Sequence, residues 1–218
     1  MQSEFSRRPL KTRAKNWPRQ LAFRLVRFGL TPNQISAASL VISAIGATCF
    51  FAGAERAPTA RTLLFLSAAV CIQLRLLCNL LDGLMAVEGG LKTKTGEIFN
   101  EFPDRIADVL LLVAAGYSVR WHCENAIELG FLCAIAAVLT AYVRGFGGSA
   151  GLPQDFCGPM AKQQRMATLT FACILSAAEA SLRFEHRFML LALAIIFGGS
   201  LFTAGRRTKR IVQLLNAR

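Results

Sequence analysis

Six long apolar segments dominate this sequence. They cover residues 35–53, 62–83, 106–121, 126–144, 166–182 and 188–204. Each approaches the roughly 20 residues that an α-helix needs to cross a bilayer core of about 30 Å. With 54% hydrophobic and 17% charged residues over 218 positions, the chain has more apolar surface than a soluble domain of this size can bury. We therefore predict an all-α integral membrane protein with six transmembrane helices.

A basic segment, residues 1–33, precedes the first apolar run and mixes Lys and Arg with Trp17 and several phenylalanines. This pattern is typical of an amphipathic helix that lies on an anionic lipid surface. An ordinary topology signal explains the same charges, and both interpretations stay open. No small-residue cleavage site follows the first run, so we expect it to be retained rather than removed as a signal peptide. The predicted organisation is a basic amphipathic juxtamembrane segment (1–33), a six-helix transmembrane domain (34–205) and a basic cytoplasmic tail (206–218).

The basic residues also predict an orientation. Of the 25 Lys and Arg residues, 19 fall on one side of a six-span arrangement and five on the other. The positive-inside rule then places both termini in the cytoplasm, in a plasma membrane such as the inner membrane of a bacterium. The net charge of +12 follows from this bias, so it does not indicate nucleic-acid binding. Seven scattered cysteines without a CxxC pair, and two isolated histidines, support neither a zinc site nor a disulfide framework.

Polar residues cluster where the second apolar run ends and the third begins. They form two stripes at helical spacing: Asn79, Asp82, Gly83 and Ala86, then Gly96, Asn100 and Asp104. A connection of residues 87–95 is short enough to hold the two helices antiparallel, with the stripes facing each other. Carboxylates near lipid are costly, and oxygen ligands from two helices suit Mg²⁺, while the small residues would admit a phosphate. The alternative is that these groups merely cap helix ends.

These residues resemble the signature of the CDP-alcohol phosphatidyltransferases, DxxDGxxAR, eight residues, then GxxxDxxxD. That signature spans the second and third of six transmembrane helices, and the ungapped match here runs from Asn79 to Asp104. The segments Leu30-Thr31-Pro32-Asn33 and Gly96-Glu97-Ile98-Phe99 are also similar to the family. The resemblance implies a transferase that moves a phosphatidyl group from a CDP-linked lipid, such as CDP-diacylglycerol, to a small alcohol or phospho-alcohol and releases CMP.

The resemblance also implies roles for individual residues. Asp82 and Asp104 would bind one or two ions of Mg²⁺ or Mn²⁺, and Asp104 would also act as the general base. Asn79 and Asn100 replace two aspartates of the signature and offer only neutral oxygens, while Val87 replaces its arginine. Among nearby acids we expect Glu101 to restore one charge, with Glu97 and Asp108 as weaker choices.

The remaining assignments concern the substrates. The expected nucleotide-binding residues are Asp82, Gly83, Ala86 and Gly96. The cations expected to reach a phosphate are Arg144, Lys162 and Arg165 for the acceptor, with Lys92 or Lys94 replacing the missing arginine. Plain membrane-interface snorkelling explains these cations equally well. The resemblance also suggests a homodimer, and it leaves the acceptor unnamed. Two other hypotheses stay open, a catalytically weakened relative that binds CDP-lipid or metal, and an unrelated transporter or scaffold.

Overall fold

The described residues of this computed structural model are 16–91, 93, 95–182 and 187–217, and they form a helical bundle. Within them there are seven α-helices and no strand, as expected for an all-α protein. The helices are α1 (Asn16–Arg27), α2 (Pro32–Gly53), α3 (Pro58–Val87), α4 (Gly96–Ser118), α5 (Ala126–Ser149), α6 (Lys162–Leu182) and α7 (Arg187–Asn216). Helices α2 to α7 correspond in order to the six predicted apolar runs, and the third run, 106–121, extends three residues beyond the end of α4. Much of the predicted basic helix, residues 1–15, lies outside the described residues.

Four of the described helices, α2, α3, α5 and α7, are long and apolar enough to cross a membrane. The chain is therefore a membrane protein. Helices α4 and α6 do not meet the same criterion, because charged and polar residues extend into both from their amino-terminal ends. The count of six spans accordingly stays a prediction. The predicted domain boundaries at residues 33/34 and 205/206 fall inside α2 and α7.

Helix α2 begins with a capping box. The Thr31 hydroxyl accepts a hydrogen bond from the backbone N–H of Gln34 at 3.4 Å, and the Gln34 side chain accepts one from the backbone N–H of Thr31 at 2.9 Å. Pro32 occupies the first helical position, where its missing N–H has no helical partner to lose. The Leu30-Thr31-Pro32-Asn33 segment thus fixes where α2 starts, next to the polar end of the bundle.

Helix α1 packs across the end of α3. Its Ala22 is buried in a small apolar cluster with Leu81 and Met85 of α3. An ion pair of 3.0 Å between Arg19 and Glu88 links the same two segments. The helix and the turn after it expose Trp17, Phe23 and Phe28. The position of α1 on a membrane surface stays a prediction.

One end of the bundle, which we call the site end, contains Asp82 of α3 and Asp104 of α4. Helix α2 packs on α3 and α4, α3 on α6, α4 on α5, and α7 on both α5 and α6. The end of α3, the starts of α2, α4 and α6, and the later parts of α5 and α7 meet at one end. A long apolar core, which includes Phe65, Leu111, Met166 and Leu193, fills the rest of the bundle. The apolar core therefore holds in position the polar side chains that α3 and α4 carry at the site end.

Helices α4 and α5 approach each other through two glycines. A Cβ added to Gly116 would lie 2.9 Å from the Cα of Gly130 and 2.5 Å from the carbonyl oxygen of Ala126. Small residues permit such close approach between helices in a membrane, where van der Waals packing stabilises association. This contact brings α4 and α5 close together near the carboxyl end of α4.

We expect Gly116→Ala to destabilise the protein by about 1–3 kcal/mol, because the new methyl group overpacks the α4–α5 contact. Gly198→Ala in α7 is the matched control, since nothing lies within 4 Å of a Cβ there. Thermal unfolding in detergent should show a lower melting temperature for the first variant and an equal or slightly higher one for the second. Equal melting temperatures would contradict the packing argument.

Candidate active site

Asp82 lies near the end of α3 and is buried, with 4% of its surface exposed. Its Oδ2 accepts a hydrogen bond of 2.6 Å from the Ser36 hydroxyl of α2. Its Oδ1 is also buried and has no hydrogen-bond partner among the described residues. A buried carboxylate oxygen without a donor is costly, so this atom is a candidate ligand for a cation.

Asp104 lies in the third turn of α4 and is 7% exposed. The amide nitrogen of Asn79 donates to its Oδ1 at 2.5 Å, and the ammonium group of Lys162 pairs with its Oδ2. The guanidinium of Arg75 is 3.6 Å from Oδ1. The structure thus brings Asn79, Asp104 and Lys162 together, although they belong to three helices.

Asp108 lies one helical turn after Asp104 on α4, further into the bundle, and is the centre of a second group of charged side chains. Asp108 receives Arg75 at 2.6 Å on Oδ1 and Arg165 at 2.8 Å on Oδ2, and all three side chains are buried. Arg75 also donates to the backbone carbonyl of Asp104 at 3.0 Å, and Arg165 donates to Thr140 at 3.1 Å and to the carbonyl of Met160 at 2.9 Å. This network ties α3, α4, α5 and α6 together directly beneath Asp104.

Glu101 contacts a different set of residues. Both of its oxygens lie 2.6 Å from a nitrogen of Arg144 on α5, and Arg105 of α4 also pairs with it. The guanidinium of Arg144 sits over the ring of Phe156 in the loop before α6, 5.3 Å from its centroid. Glu101 therefore fixes two cations beside the Asp82–Asp104 pair.

The other predicted site residues are placed as follows. Gly83 and Ala86 of α3 and Gly96 of α4 are partly buried, whereas Asn100 and Val87 are exposed. Lys92, Lys94 and the side chain of Glu97 lie outside the described residues. The guanidinium of Arg165 donates hydrogen bonds to Asp108, Thr140 and the carbonyl of Met160, and the residue is 1% exposed.

Sequence reasoning missed the roles of Ser36 and Arg75. Arg75 had a signal, because a lone arginine inside an apolar run needs a buried acidic partner, and it precedes Asn79 by four residues on the same helical face. Ser36 had none, since its contact with Asp82 joins residues 46 positions apart.

The candidate oxygen ligands for a cation are few. Among the described residues, no three His, Cys, Asp or Glu side chains are grouped to hold a metal. The unpartnered Oδ1 of Asp82 offers a carboxylate oxygen, and amide oxygens from asparagine are acceptable further ligands for Mg²⁺ or Mn²⁺. Asp104 already accepts from Asn79 and Lys162.

Sequence comparison finds distant relatives. No family model matches the chain. It is 26% identical over 147 residues to the inner membrane protein YnbA of Escherichia coli, covering 67% of this chain and 68% of that protein. It is also 26% identical over 133 residues to the phosphatidylinositol phosphate synthase of Mycobacterium tuberculosis, covering 60% of this chain and 57% of the synthase. An uncharacterized protein of Aquifex aeolicus is 27% identical over 192 residues, with 86% and 87% covered.

Solved structures give a clearer result. The crystal structure of Mycobacterium tuberculosis phosphatidylinositol phosphate synthase with CDP-DAG bound superposes with a TM-score of 0.74, at 20% identity, and covers 90% of this chain and 94% of that one. This chain has the fold of that synthase. The same enzyme in complex with manganese and citrate gives a TM-score of 0.70 at 21% identity, with 89% and 88% covered. The predicted resemblance to the CDP-alcohol phosphatidyltransferases is thereby confirmed.

Proposed function

We propose that this protein is a CDP-alcohol phosphatidyltransferase, which moves a phosphatidyl group from a CDP-linked lipid such as CDP-diacylglycerol to an alcohol acceptor and releases CMP. The observation that carries the proposal is the pair of buried aspartates at one end of the bundle. Asp82 has an oxygen without a hydrogen-bond partner among the described residues, and Asp104 is fixed by Asn79 and Lys162. The shared fold with a synthase that binds CDP-DAG supports it.

Asp104 is the proposed catalytic base. It would take the proton from the acceptor hydroxyl, whose oxygen then forms a bond to the phosphorus that carries the lipid, while the bond from that phosphorus to CMP breaks. Asn79 and Lys162 hold its carboxylate in place, and Arg75 holds the backbone carbonyl of the same residue. A general base in a fixed position is what a transfer between two bound substrates requires.

The remaining residues would bind and orient the substrates. Asp82, Gly83, Ala86 and Gly96 are the proposed neighbours of the CDP group, since small side chains let a diphosphate approach the backbone. Asp82 would hold a divalent cation, with the amide oxygens of Asn79 and Asn100 as further ligands. When bound, such a cation supplies positive charge to the phosphoryl oxygens and to the leaving CMP. Arg144 is the proposed contact for a phosphate on the acceptor.

The proposed topology has six spans, α2 to α7, with α1 on the membrane surface and the active site facing the cytoplasm. The excess of Lys and Arg at the site end supports it. Helices α4 and α6 pack against the apolar α2, α3, α5 and α7, and their charged residues Asp104, Asp108, Lys162 and Arg165 lie at the site end. The inner membrane of a bacterium is the proposed location, as for the relative YnbA.

A non-catalytic relative that binds CDP-lipid is the alternative function. The observation that favours it is that both oxygens of Asp104 already accept from side chains of the protein. Such a protein would bind CDP-diacylglycerol without turnover.

The test is release of CMP by the purified protein in lipid nanodiscs that contain CDP-diacylglycerol and Mg²⁺ or Mn²⁺. The acceptors are a panel of polyols and their phosphates. CMP release that depends on one acceptor would establish the transferase and name its substrate class. Binding of CDP-diacylglycerol without CMP release across the panel would favour the non-catalytic alternative.

A further inference from the structure

Lys162 occupies an unusual position for a cation. It is the first residue of α6, and the first turn of this helix contains no acidic residue. The positive end of the helix dipole disfavours a cation there. Its side chain is nevertheless 21% exposed and paired with Asp104, whose side chain is 9% exposed. The ion pair with Asp104 offsets the unfavourable dipole.

Cationic side chains already lie among these carboxylates. Lys162 pairs with Asp104, and Arg75 and Arg165 pair with Asp108. A buried ion is tolerated only with compensating charge, so each added dication must overcome repulsion from these cations. Of Asp82 and Asp104, the repulsion is stronger at Asp104, which contacts Lys162 and lies 3.6 Å from Arg75.

Asp82 differs from Asp104 in this respect. The partner of its Oδ2 is the neutral hydroxyl of Ser36, and its buried Oδ1 is unpartnered among the described residues. Asp104 therefore already has a cationic partner, whereas Asp82 has none among the described residues.

We propose that this site binds one divalent cation, through Asp82, and that the ammonium group of Lys162 supplies the positive charge at Asp104 in place of a second cation. The inference rests on the proposed function for the identity of the metal site. In this role Lys162 acts on Asp104, and Arg144 is left to contact an acceptor phosphate.

The proposal is tested by counting bound Mn²⁺. The full-length protein in phosphatidylcholine nanodiscs is titrated with Mn²⁺, and free Mn²⁺ is followed by electron paramagnetic resonance. We expect one Mn²⁺ per wild-type chain. Two bound ions, or none, would overturn the proposal, and this measurement needs no variant that must fold.

Three variants separate charge from structure. Lys162→Gln with Asn79→Asp and Asn100→Asp should bind a second Mn²⁺, and Lys162→Gln alone should bind Mn²⁺ at least about tenfold more tightly because repulsion is removed. Lys162→Arg keeps the charge and should bind like the wild type. Lys209→Gln removes an exposed lysine of α7 that makes no ion pair with Asp82, Asp104 or Asp108 among the described residues, and it is the matched control. Unchanged affinity in Lys162→Gln would overturn the proposal.

The count is independent of turnover. One bound Mn²⁺ without CMP release would leave the charge replacement standing and reject the transferase. CMP release with two bound Mn²⁺ would support the transferase and reject the replacement of a second cation by Lys162.

Discussion

Asp104→Asn is expected to lower the rate of CMP release by a factor of about 10²–10⁴, the usual contribution of a positioned general base. Asparagine has nearly the same shape as aspartate, so the packing of α4 should persist. Its amide cannot take the proton from an acceptor hydroxyl, and it leaves the ammonium group of Lys162 without a carboxylate partner. The loss should appear in turnover at saturating CDP-diacylglycerol.

Asp155→Asn is the matched control for this experiment. Asp155 lies in the loop before α6, where it accepts a hydrogen bond from the backbone N–H of Cys157 at 2.8 Å and faces Arg210. The same chemical change there should leave turnover near the wild-type value. Size-exclusion profiles and melting temperatures show whether each variant is folded. A folded Asp104→Asn variant with unchanged turnover would remove Asp104 from the mechanism.

Asp108→Asn is expected to produce the largest loss of stability, about 3–5 kcal/mol. The carboxylate receives two buried guanidinium groups, and its removal leaves the charges of Arg75 and Arg165 without a counter-ion. Because Arg75 also holds the backbone carbonyl of Asp104, the site should loosen together with the bundle. Thermal unfolding in detergent, followed by a thiol-reactive dye, measures the effect.

The same Asp155→Asn variant serves as the control for stability. Its carboxylate is in a loop and its partner Arg210 is exposed, so the change should cost little. If Asp108→Asn melts at the temperature of Asp155→Asn, the buried network does not stabilise the bundle.

Local spacing predicted part of the site. Asp82 and Asp104 were expected to face each other because each lies on a helical stripe next to a short connection, and the structure places both at the same end of the bundle. Glu101 was expected beside Asp104 for the same reason, since residues three apart on a helix are neighbours. It also pairs with Arg144, because α5 presents an arginine to that side of α4, and its role at the metal stays a prediction. Spacing along one helix cannot show which helix will pack against it.

The sequence by itself determined the class of the protein, the order of its helices and the helical stripes that carry Asp82 and Asp104. These properties follow from local rules, the length of apolar runs and the periodicity of a helix. Only the tertiary structure decided the partners: Ser36 for Asp82, Lys162 and Asn79 for Asp104, and two arginines for Asp108. These pairs join residues 25 to 58 positions apart, so they depend on how helices pack rather than on any local pattern.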